Sequence, residues 1–447
     1  MKTKKIVGMF LTSMLLLTAC EDDDMMNNPV PEEVPATLTV NTDIQYQTIF
    51  GFGAMENLSS WQGPALDDTE IETLFGKSGE SLGLNIMRIR IAPKDLNQDA
   101  DSKWGEIAQV AKKAKDKGVT ILATPWTAPA YLKTNNSVIG GEIKDYAGYA
   151  DYLNEFLTYM KNKGVPVDIL SIQNEPDYEV SYEGCLWTGL QQANFFKKYA
   201  PKIKSLHPDV KLMTGESYQF RHQSYDPILE DPEACAQVDY IGGHIYGSGN
   251  ESYDLAKEKA KPCWMTEYLL NEAWGKEEPY QFVGNVRDET LQLAISMNTA
   301  MKSGMEAYIY WTARRFYSLL GDGKAGSEFG EVTPRGYLFG HFAHLLTGKT
   351  RVKAVASKHV SSDLNYSAYI DREGNITMML INPTSSKMEN IQLSIPFIPS
   401  VVNKTVTTIP VSAYPETAEG MMIESVADIG NGLTVDAYSV VTYVFNK

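Results

Sequence analysis

The 447-residue chain reads as an α/β protein: a (β/α)8 TIM barrel with an appended antiparallel β-sandwich domain built from both chain ends. Three observations predict this. Between residues 48 and 345, short β-branched runs alternate with segments of helical periodicity. After residue 346 that periodicity gives way to short strands divided by Gly, Pro and Asn turns. One strand-like segment near the N-terminus has no sequence neighbour to pair with.

Residues 1–20 read as a targeting segment and lie outside the fold. Lys2, Lys4 and Lys5 form a positive start, and Ile6 to Leu17 is an apolar run too short to span a bilayer comfortably. Leu17-Thr18-Ala19-Cys20 resembles the lipobox of bacterial lipoproteins, which implies acylation of Cys20. Residues 21–36 are acidic, Asn-rich and Pro-rich, a composition expected of a disordered tether. Their Glu21-Asp22-Asp23-Asp24 run resembles the acidic export signal of Bacteroidetes surface lipoproteins. These features imply an exported lipoprotein anchored to the outer membrane. No later segment is long and apolar enough to span a bilayer.

Thr37-Leu38-Thr39-Val40 alternates as a half-buried strand does, and residues 37–47 are expected to join the C-terminal β domain. The eight barrel strands are expected at Thr48–Ala54, Ile86–Ile91, Val119–Thr124, Asp168–Gln173, Lys211–Gly215, Tyr240–His244, Pro262–Glu267 and Ala307–Trp311. Helical spacing falls between them. Ile107, Val110, Ala111 and Ala114 share a face, with Ser102 as an expected cap and Gly118 as a stop. Tyr149, Tyr152, Leu153 and Phe156 repeat the spacing before Gly164. A doubly wound open sheet is the competing topology, but Gly51-Phe52-Gly53-Ala54 lacks the full Gly-rich phosphate turn such folds use. Residues 346–447 carry strand candidates at Tyr366–Ile370, Ile376–Ile381, Ile391–Ile395 and Leu433–Phe445.

Lys+Arg 40 against Asp+Glu 56 gives a net charge of −16. That field repels phosphate backbones and disfavours nucleic acid as a partner. Apart from Cys20 the cysteines are Cys185, Cys235 and Cys263; an odd count allows at most one internal disulfide, and no spacing suggests zinc.

Active sites of (β/α)8 barrels collect at the C-terminal ends of the strands, which turns the strand assignments into candidates. Arg88 and Arg90 end the second strand, Trp126 follows the third and Asn174-Glu175-Pro176 the fourth. His244 ends the sixth, Glu267 the seventh and Trp311 the eighth. Glutamates on strands four and seven can face each other across the barrel mouth. Cleavage of a glycosidic bond needs such a pair: one carboxyl protonates the leaving oxygen and the other acts at the anomeric carbon. Singly, Glu175 could be a turn residue and Glu267 a helix cap; their conjunction at strand ends favours chemistry.

Five segments then carry a specific resemblance: Phe50-Gly51-Phe52-Gly53-Ala54-Met55, Met87-Arg88-Ile89-Arg90-Ile91, Ser171-Ile172-Gln173-Asn174-Glu175-Pro176, Gly243-His244-Ile245-Tyr246-Gly247 and Trp264-Met265-Thr266-Glu267. They resemble glycoside hydrolase family 30 from about residue 37 to the C-terminus. The resemblance implies that Glu175 is the acid/base and Glu267 the nucleophile of a retaining enzyme. It also implies a β domain formed from both chain ends.

Tyr310-Trp311-Thr312-Ala313-Arg314-Arg315-Phe316-Tyr317 resembles the glucuronoxylanase subfamily. There an arginine and a tyrosine, matched by Arg315 and Tyr317, hold a glucuronic acid carboxylate; a guanidinium fork suits that group. A salt-bridged role for Arg314 and Arg315 is the alternative. Tyr268-Leu269-Leu270-Asn271 departs from the subfamily pattern. The expected activity is an endo-β-1,4-xylanase acting on glucuronic-acid-branched xylan. Alternatives are a β-1,6-glucanase, a glucosylceramidase-like β-glycosidase, or a surface glycan-binding lipoprotein without catalysis.

The supporting residues follow. Asn174 is expected to donate to the sugar 2-hydroxyl, Arg88 to orient Glu267 and keep it ionised, and Tyr246 to hydrogen-bond the nucleophile. Trp126, Trp187 and Trp311 are candidates for stacking on pyranose faces. His244 is expected to be a packed neighbour of the site and not a metal ligand. No metal or cofactor is expected, the partner is a polysaccharide, and the chain is expected to be a monomer.

Overall fold

The computed structural model describes residues 35–57, 63–94, 100–270, 286–410, 422–426 and 429–447. The targeting segment with Cys20, most of the tether, and Asn271 lie outside the described residues. In chain order the strands are β1 (Thr37–Thr48), β2 (Gly51–Met55), β3 (Ile86–Ile91), β4 (Thr120–Pro125), β5 (Ile169–Ser171), β6 (Lys211–Met213), β7 (Ile241–His244), β8 (Cys263–Tyr268) and β9 (Met305–Tyr310). They continue as β10 (Thr350–Ala356), β11 (Asn365–Ile370), β12 (Ile376–Asn382), β13 (Met388–Ser394), β14 (Val401–Thr408), β15 (Met422–Val426), β16 (Leu433–Val435) and β17 (Ser439–Asn446).

The eight strands β2 to β9 form one parallel sheet in the order β6-β5-β4-β3-β2-β9-β8-β7. Its two ends meet through parallel bridges between Met213 and Tyr240 and between Ser217 and Gly243, so the sheet closes into a barrel. This bears out the expected fold class. Most strands fall within two residues of expectation, and Ile86–Ile91 coincides. The expected Thr48–Ala54 strand is in fact a junction: Thr48 ends β1 and Gly51 begins β2.

That junction explains the glycine there. Asn85 accepts from the Phe52 amide at 3.1 Å and donates to the Phe50 carbonyl at 2.8 Å. A Cβ at Gly51 would collide with that Asn85 side chain, and Gly51 also has φ +152°. Only glycine meets both conditions.

Side chains of one strand alternate between the barrel interior and the helical layer. Ile86, Leu122, Ile169, Met213, Trp264, Ala307 and Ile309 make a separate buried cluster that plugs the lower interior. Two residues further along the same strands, and therefore on the same face, stand Arg88 and Thr124. The interior thus changes from an apolar plug to a polar upper layer.

Around the barrel, helix Tyr146–Asn162 buries the expected Tyr149, Tyr152, Leu153 and Phe156, and Gly164 follows it at φ +77°. Helix Ala100–Lys115 begins before Ser102. Ser102 therefore lies inside the helix and is not its cap, a correction of the kind expected where end signals compete over a few residues.

The remaining strands make a nine-stranded sheet in the order β15-β14-β17-β12-β11-β10-β1-β13-β16. β1 lies between β10, antiparallel, and β13, parallel, so the isolated N-terminal strand does find its partners in the C-terminal domain. The parallel β1–β13 pair departs from the wholly antiparallel arrangement expected. β16 ends the strand order yet touches β12 and β17 near its middle. The sheet therefore curls over a second core that includes Leu38, Met378, Leu380, Leu433, Val441 and Phe445. β10, β14 and β15 were not anticipated, and the single expected strand Leu433–Phe445 is two, β16 and β17. Helix Pro334–Leu346 ties the barrel to this sheet: its buried His341 hydrogen-bonds Thr407 at 2.8 Å and Thr442 at 2.7 Å. Cys185, Cys235 and Cys263 are all free thiols.

Candidate active site

The upper layer of the barrel gathers Arg88, His244 and three carboxylates. Arg88 extends inward from β3 and is fully buried. Its Nη1 donates to Glu267 Oε2 at 2.5 Å, and its Nη2 donates to Asn174 Oδ1 at 2.7 Å. The same Nη2 lies 3.1 Å from Glu216 Oε2. A lone buried guanidinium would be costly; shared among these acceptors, its charge is balanced and fixed in place.

Glu267, near the end of β8, receives a second hydrogen bond from the Tyr246 hydroxyl at 2.9 Å. Each of its oxygens therefore has a donor. Asn174 accepts from Arg88 at Oδ1, and among the described residues its side-chain Nδ2 has no hydrogen-bond partner. That nitrogen is available to a ligand.

Glu175 follows β5 with φ +43°, while its amide donates to the Glu216 carbonyl at 2.8 Å. Its Oε1 lies 2.9 Å from His244 Nδ1, and the Tyr182 hydroxyl donates to its Oε2 at 3.4 Å. Burial pushes the Glu175 carboxyl up, opposed by the imidazole of His244. His244 is fully buried: burial disfavours its charge, but Glu267, Glu175 and Glu216 outweigh that and raise it to about 9. Glu216 is buried too, which opposes ionisation, yet Arg88, His244 and Thr124 hold it well below the usual carboxylate range. Thr124 donates to it at 2.7 Å.

One ligand atom each from Glu175, His244 and Glu267 lies within 4.8 Å of the others, a spacing that could bracket a metal ion. The electrostatics oppose one. Arg88 already places a cation on Glu267, and the carboxylates around His244 favour its protonated form, whereas a metal ligand must be a bare imidazole.

The tryptophans divide. Trp126 and Trp311 stand at the mouth with ring centroids 5.8 Å apart, packed with Met55, and Trp126 also covers the Arg88 guanidinium at 4.8 Å. Trp187 instead packs among Tyr146, Tyr149 and Phe195 in the helical layer, away from the barrel interior. Arg315 and Tyr317 lie on the segment after β9. Arg315 Nε is 3.8 Å from Asp322 Oδ2, and its guanidinium carbon is 6.0 Å from the Tyr317 ring centre. Tyr317 is buried, and its carbonyl accepts from the Tyr310 hydroxyl at 2.8 Å. Arg314, by contrast, is buried in an ion pair with Glu70.

Glu216 and Tyr182 were missed from sequence. Glu216 stands in Thr214-Gly215-Glu216-Ser217, just past β6, and the strand-end rule that selected Glu175 and Glu267 would have selected it. Tyr182 sits in a loop with no periodic signal.

A closed (β/α)8 barrel whose mouth sets two glutamates opposite each other is the architecture of a glycoside hydrolase, and comparison with known proteins agrees. Residues 96–277 match the glycosyl hydrolase family 30 TIM-barrel domain. The chain is 30% identical over 400 residues to glucuronoxylanase XynC of Bacillus subtilis strain 168, covering 86% of both chains. Among solved structures, the family 30 subfamily 8 xylanase Xyn30A from Clostridium acetobutylicum is similar with a TM-score of 0.76 at 32% identity, covering 92% of this chain and 100% of that one. A family 30 endoxylanase from Clostridium papyrosolvens C71 gives a TM-score of 0.73 at 28% identity, with the same coverage. The protein is a glycoside hydrolase, and the chain belongs to glycoside hydrolase family 30.

Proposed function

We propose that the protein is a retaining endo-β-1,4-xylanase acting on glucuronic-acid-branched xylan, with Glu175 as acid/base and Glu267 as nucleophile. One observation carries the mechanism: an oxygen of each carboxylate lies within 4.8 Å of one on the other. A retaining pair is separated by ~5–5.5 Å and an inverting pair by ~6.5–9.5 Å, which leaves room for a water. Here the gap favours direct attack. Arg88 and Tyr246 orient the Glu267 carboxylate toward the anomeric carbon. The upward push on Glu175 suits a group that must begin the cycle protonated. Asn174 has its side-chain Nδ2 free for the sugar 2-hydroxyl, a contact that strengthens in the transition state.

The xylan backbone is inferred from the named activities of the similar proteins, and the branch from Arg315 on the segment after β9. Trp126 and Trp311 would wall the glycone side. Anchoring by an acyl group on Cys20 at the outer membrane is part of the same reading, motivated by the lipobox-like segment; a monomer bound to polysaccharide needs no other partner. Product analysis on glucuronoxylan, arabinoxylan and β-1,6-glucan side by side tests the substrate. Products carrying one glucuronic acid at a fixed distance from the reducing end support it, and turnover confined to β-1,6-glucan refutes it.

A further inference from the structure

At the end of the barrel opposite the mouth, a cavity of about 460 Å³ opens where β8 and β9 begin, and Tyr46 and Gln47 near the end of β1 form one wall. Its volume falls in the ~300–1,000 Å³ range of small-ligand sites. Glu306 is the second residue of β9 and Trp311 follows the last, so the cavity stands on the order of 15 Å of strand from the mouth. A sugar held here is not the one being cleaved.

The carboxylates of this cavity lack partners. Among the described residues, those of Glu306 and Glu251 make neither a hydrogen bond nor an ion pair. Glu306 is half-buried, and burial pushes its carboxyl up to about 7. The donors, by contrast, are engaged. Lys261 Nζ donates to the Val238 carbonyl at 2.7 Å, and Ser303 Oγ to the Asn250 carbonyl at 2.9 Å. Lys257 Nζ donates to Asp254 at 3.1 Å. An occupant that satisfies the carboxylates therefore brings hydrogen-bond donors of its own. Two lysines against two glutamates leave little net charge, which disfavours both a phosphate-like anion and a polycation.

The aromatic wall is held in place. Arg351 lies over one face of the Tyr46 ring, 3.6 Å from its centre, and its Nε donates to Gln47 Oε1 at 3.3 Å. Gln47 Nε2 in turn donates to the carbonyls of Met301 and Met305, at 2.5 and 3.0 Å. Tyr46 is 44% exposed, and with one face covered that exposure falls on the other face and the edge. A braced aromatic face beside an unpaired carboxylate suits a pyranose, which has an apolar C–H face and a rim of hydroxyl donors.

We propose that this cavity is a second, non-catalytic binding site for a neutral glycan chain, with Tyr46 stacking on a sugar ring and Glu306 accepting from its hydroxyls. Resting on the substrate reading above, that chain is an undecorated stretch of the xylan cut at the mouth. Two grips on one polymer turn the second binding event into an intramolecular one, so the site acts on long chains and not on short ones.

The test is affinity electrophoresis at low temperature through gels cast with glucuronoxylan, arabinoxylan or β-1,6-glucan, set beside kcat/KM on a short aldouronic xylo-oligosaccharide. Both xylans should retard the wild type. Tyr46→Ala and Glu306→Ala should each weaken that retardation about tenfold and change kcat/KM on the oligosaccharide by less than about twofold. Glu306→Ala removes a carboxylate with no protein partner and should leave Tm unchanged, which keeps the test sound should loss of the Tyr46–Arg351 contact loosen β1. Retardation absent from the wild type or unchanged in both variants would overturn the second site. An equal loss on the oligosaccharide would do the same, by marking the two residues as structural. Retardation by β-1,6-glucan alone would overturn xylan as the occupant. The substrate reading fails on a different observation, release of products from β-1,6-glucan alone.

Discussion

Arg88 and Glu216, from different strand ends and both fully buried, form an ion pair at 3.1 Å beneath the two glutamates of the mouth. The pair is a foundation for the site, since the same guanidinium holds Glu267 and Asn174. Removing one partner of a buried pair leaves the other uncompensated. Glu216→Ala should destabilise the fold by about 3–5 kcal/mol, read by chemical denaturation, and reduce kcat even where the protein remains folded. A variant within about 1 kcal/mol of wild type would show that Arg88 is satisfied by Glu267 alone.

The assignment of Glu175 and Glu267 makes opposite demands on their variants. Glu267→Ala should lose turnover, and azide should restore cleavage of an activated aryl glycoside to give a glycosyl azide of inverted configuration. Glu175→Ala should retain much of its activity on that substrate and lose it on xylan, because only the poor leaving group needs protonation. Near-normal xylan hydrolysis by either variant contradicts the pairing.

The surroundings of Glu175 also fix the sense of the pH dependence. The acid must be protonated, so kcat/KM falls as pH rises through its titration. Burial raises that titration and His244 opposes the rise. His244→Asn should therefore move the alkaline limb to higher pH. The linked stability has its own sign: His244 is raised from 6.5 to about 9. Its contribution is fully present below 6.5 and is lost as pH rises through 9. The difference in Tm between wild type and His244→Asn should shrink from pH 6 to pH 10; a constant difference would mean that the imidazole is uncharged throughout.

The proposed reading gives Arg315 the glucuronic acid branch. A charged hydrogen bond to a ligand contributes ~1.5–3 kcal/mol, so Arg315→Ala should lower kcat/KM on glucuronoxylan by roughly ten- to a hundred-fold. Undecorated xylo-oligosaccharides should be cleaved nearly as before. Equal loss on both would leave Arg315 a structural neighbour of Asp322.

For the anchor, Cys20→Ala should release the protein from membrane fractions or leave it unprocessed. Continued membrane partition of the variant, with no acyl label on the wild type, would remove the lipobox reading.

Much of the barrel was legible because its signal is local. Buried parallel strands are short continuous apolar runs, and the helices between them carry their periodicity in Tyr149, Tyr152, Leu153 and Phe156. Glu175 and Glu267 were legible because the C-terminal ends of strands point to one place. What escaped depended on partners distant in sequence. β10 and β14 alternate polar and apolar residues weakly, and they become strands because β1 and β17 supply their hydrogen bonds. The strand-end rule reaches Glu216, but its burial against Arg88 and His244 depends on partners from other strands. Tyr182 is a loop residue whose meaning comes wholly from the 3.4 Å contact to Glu175.

The position of β1 imposes an order on synthesis. Leu38 pairs with Ala356 and Leu393, so this early strand waits for partners that are made only after the whole barrel. At ~5–20 residues per second that delay is on the order of tens of seconds. Throughout it the strand is an unpaired edge, open to wrong pairing or to a holding chaperone. A chain stopped after the barrel, although it carries both glutamates, would keep that edge permanently.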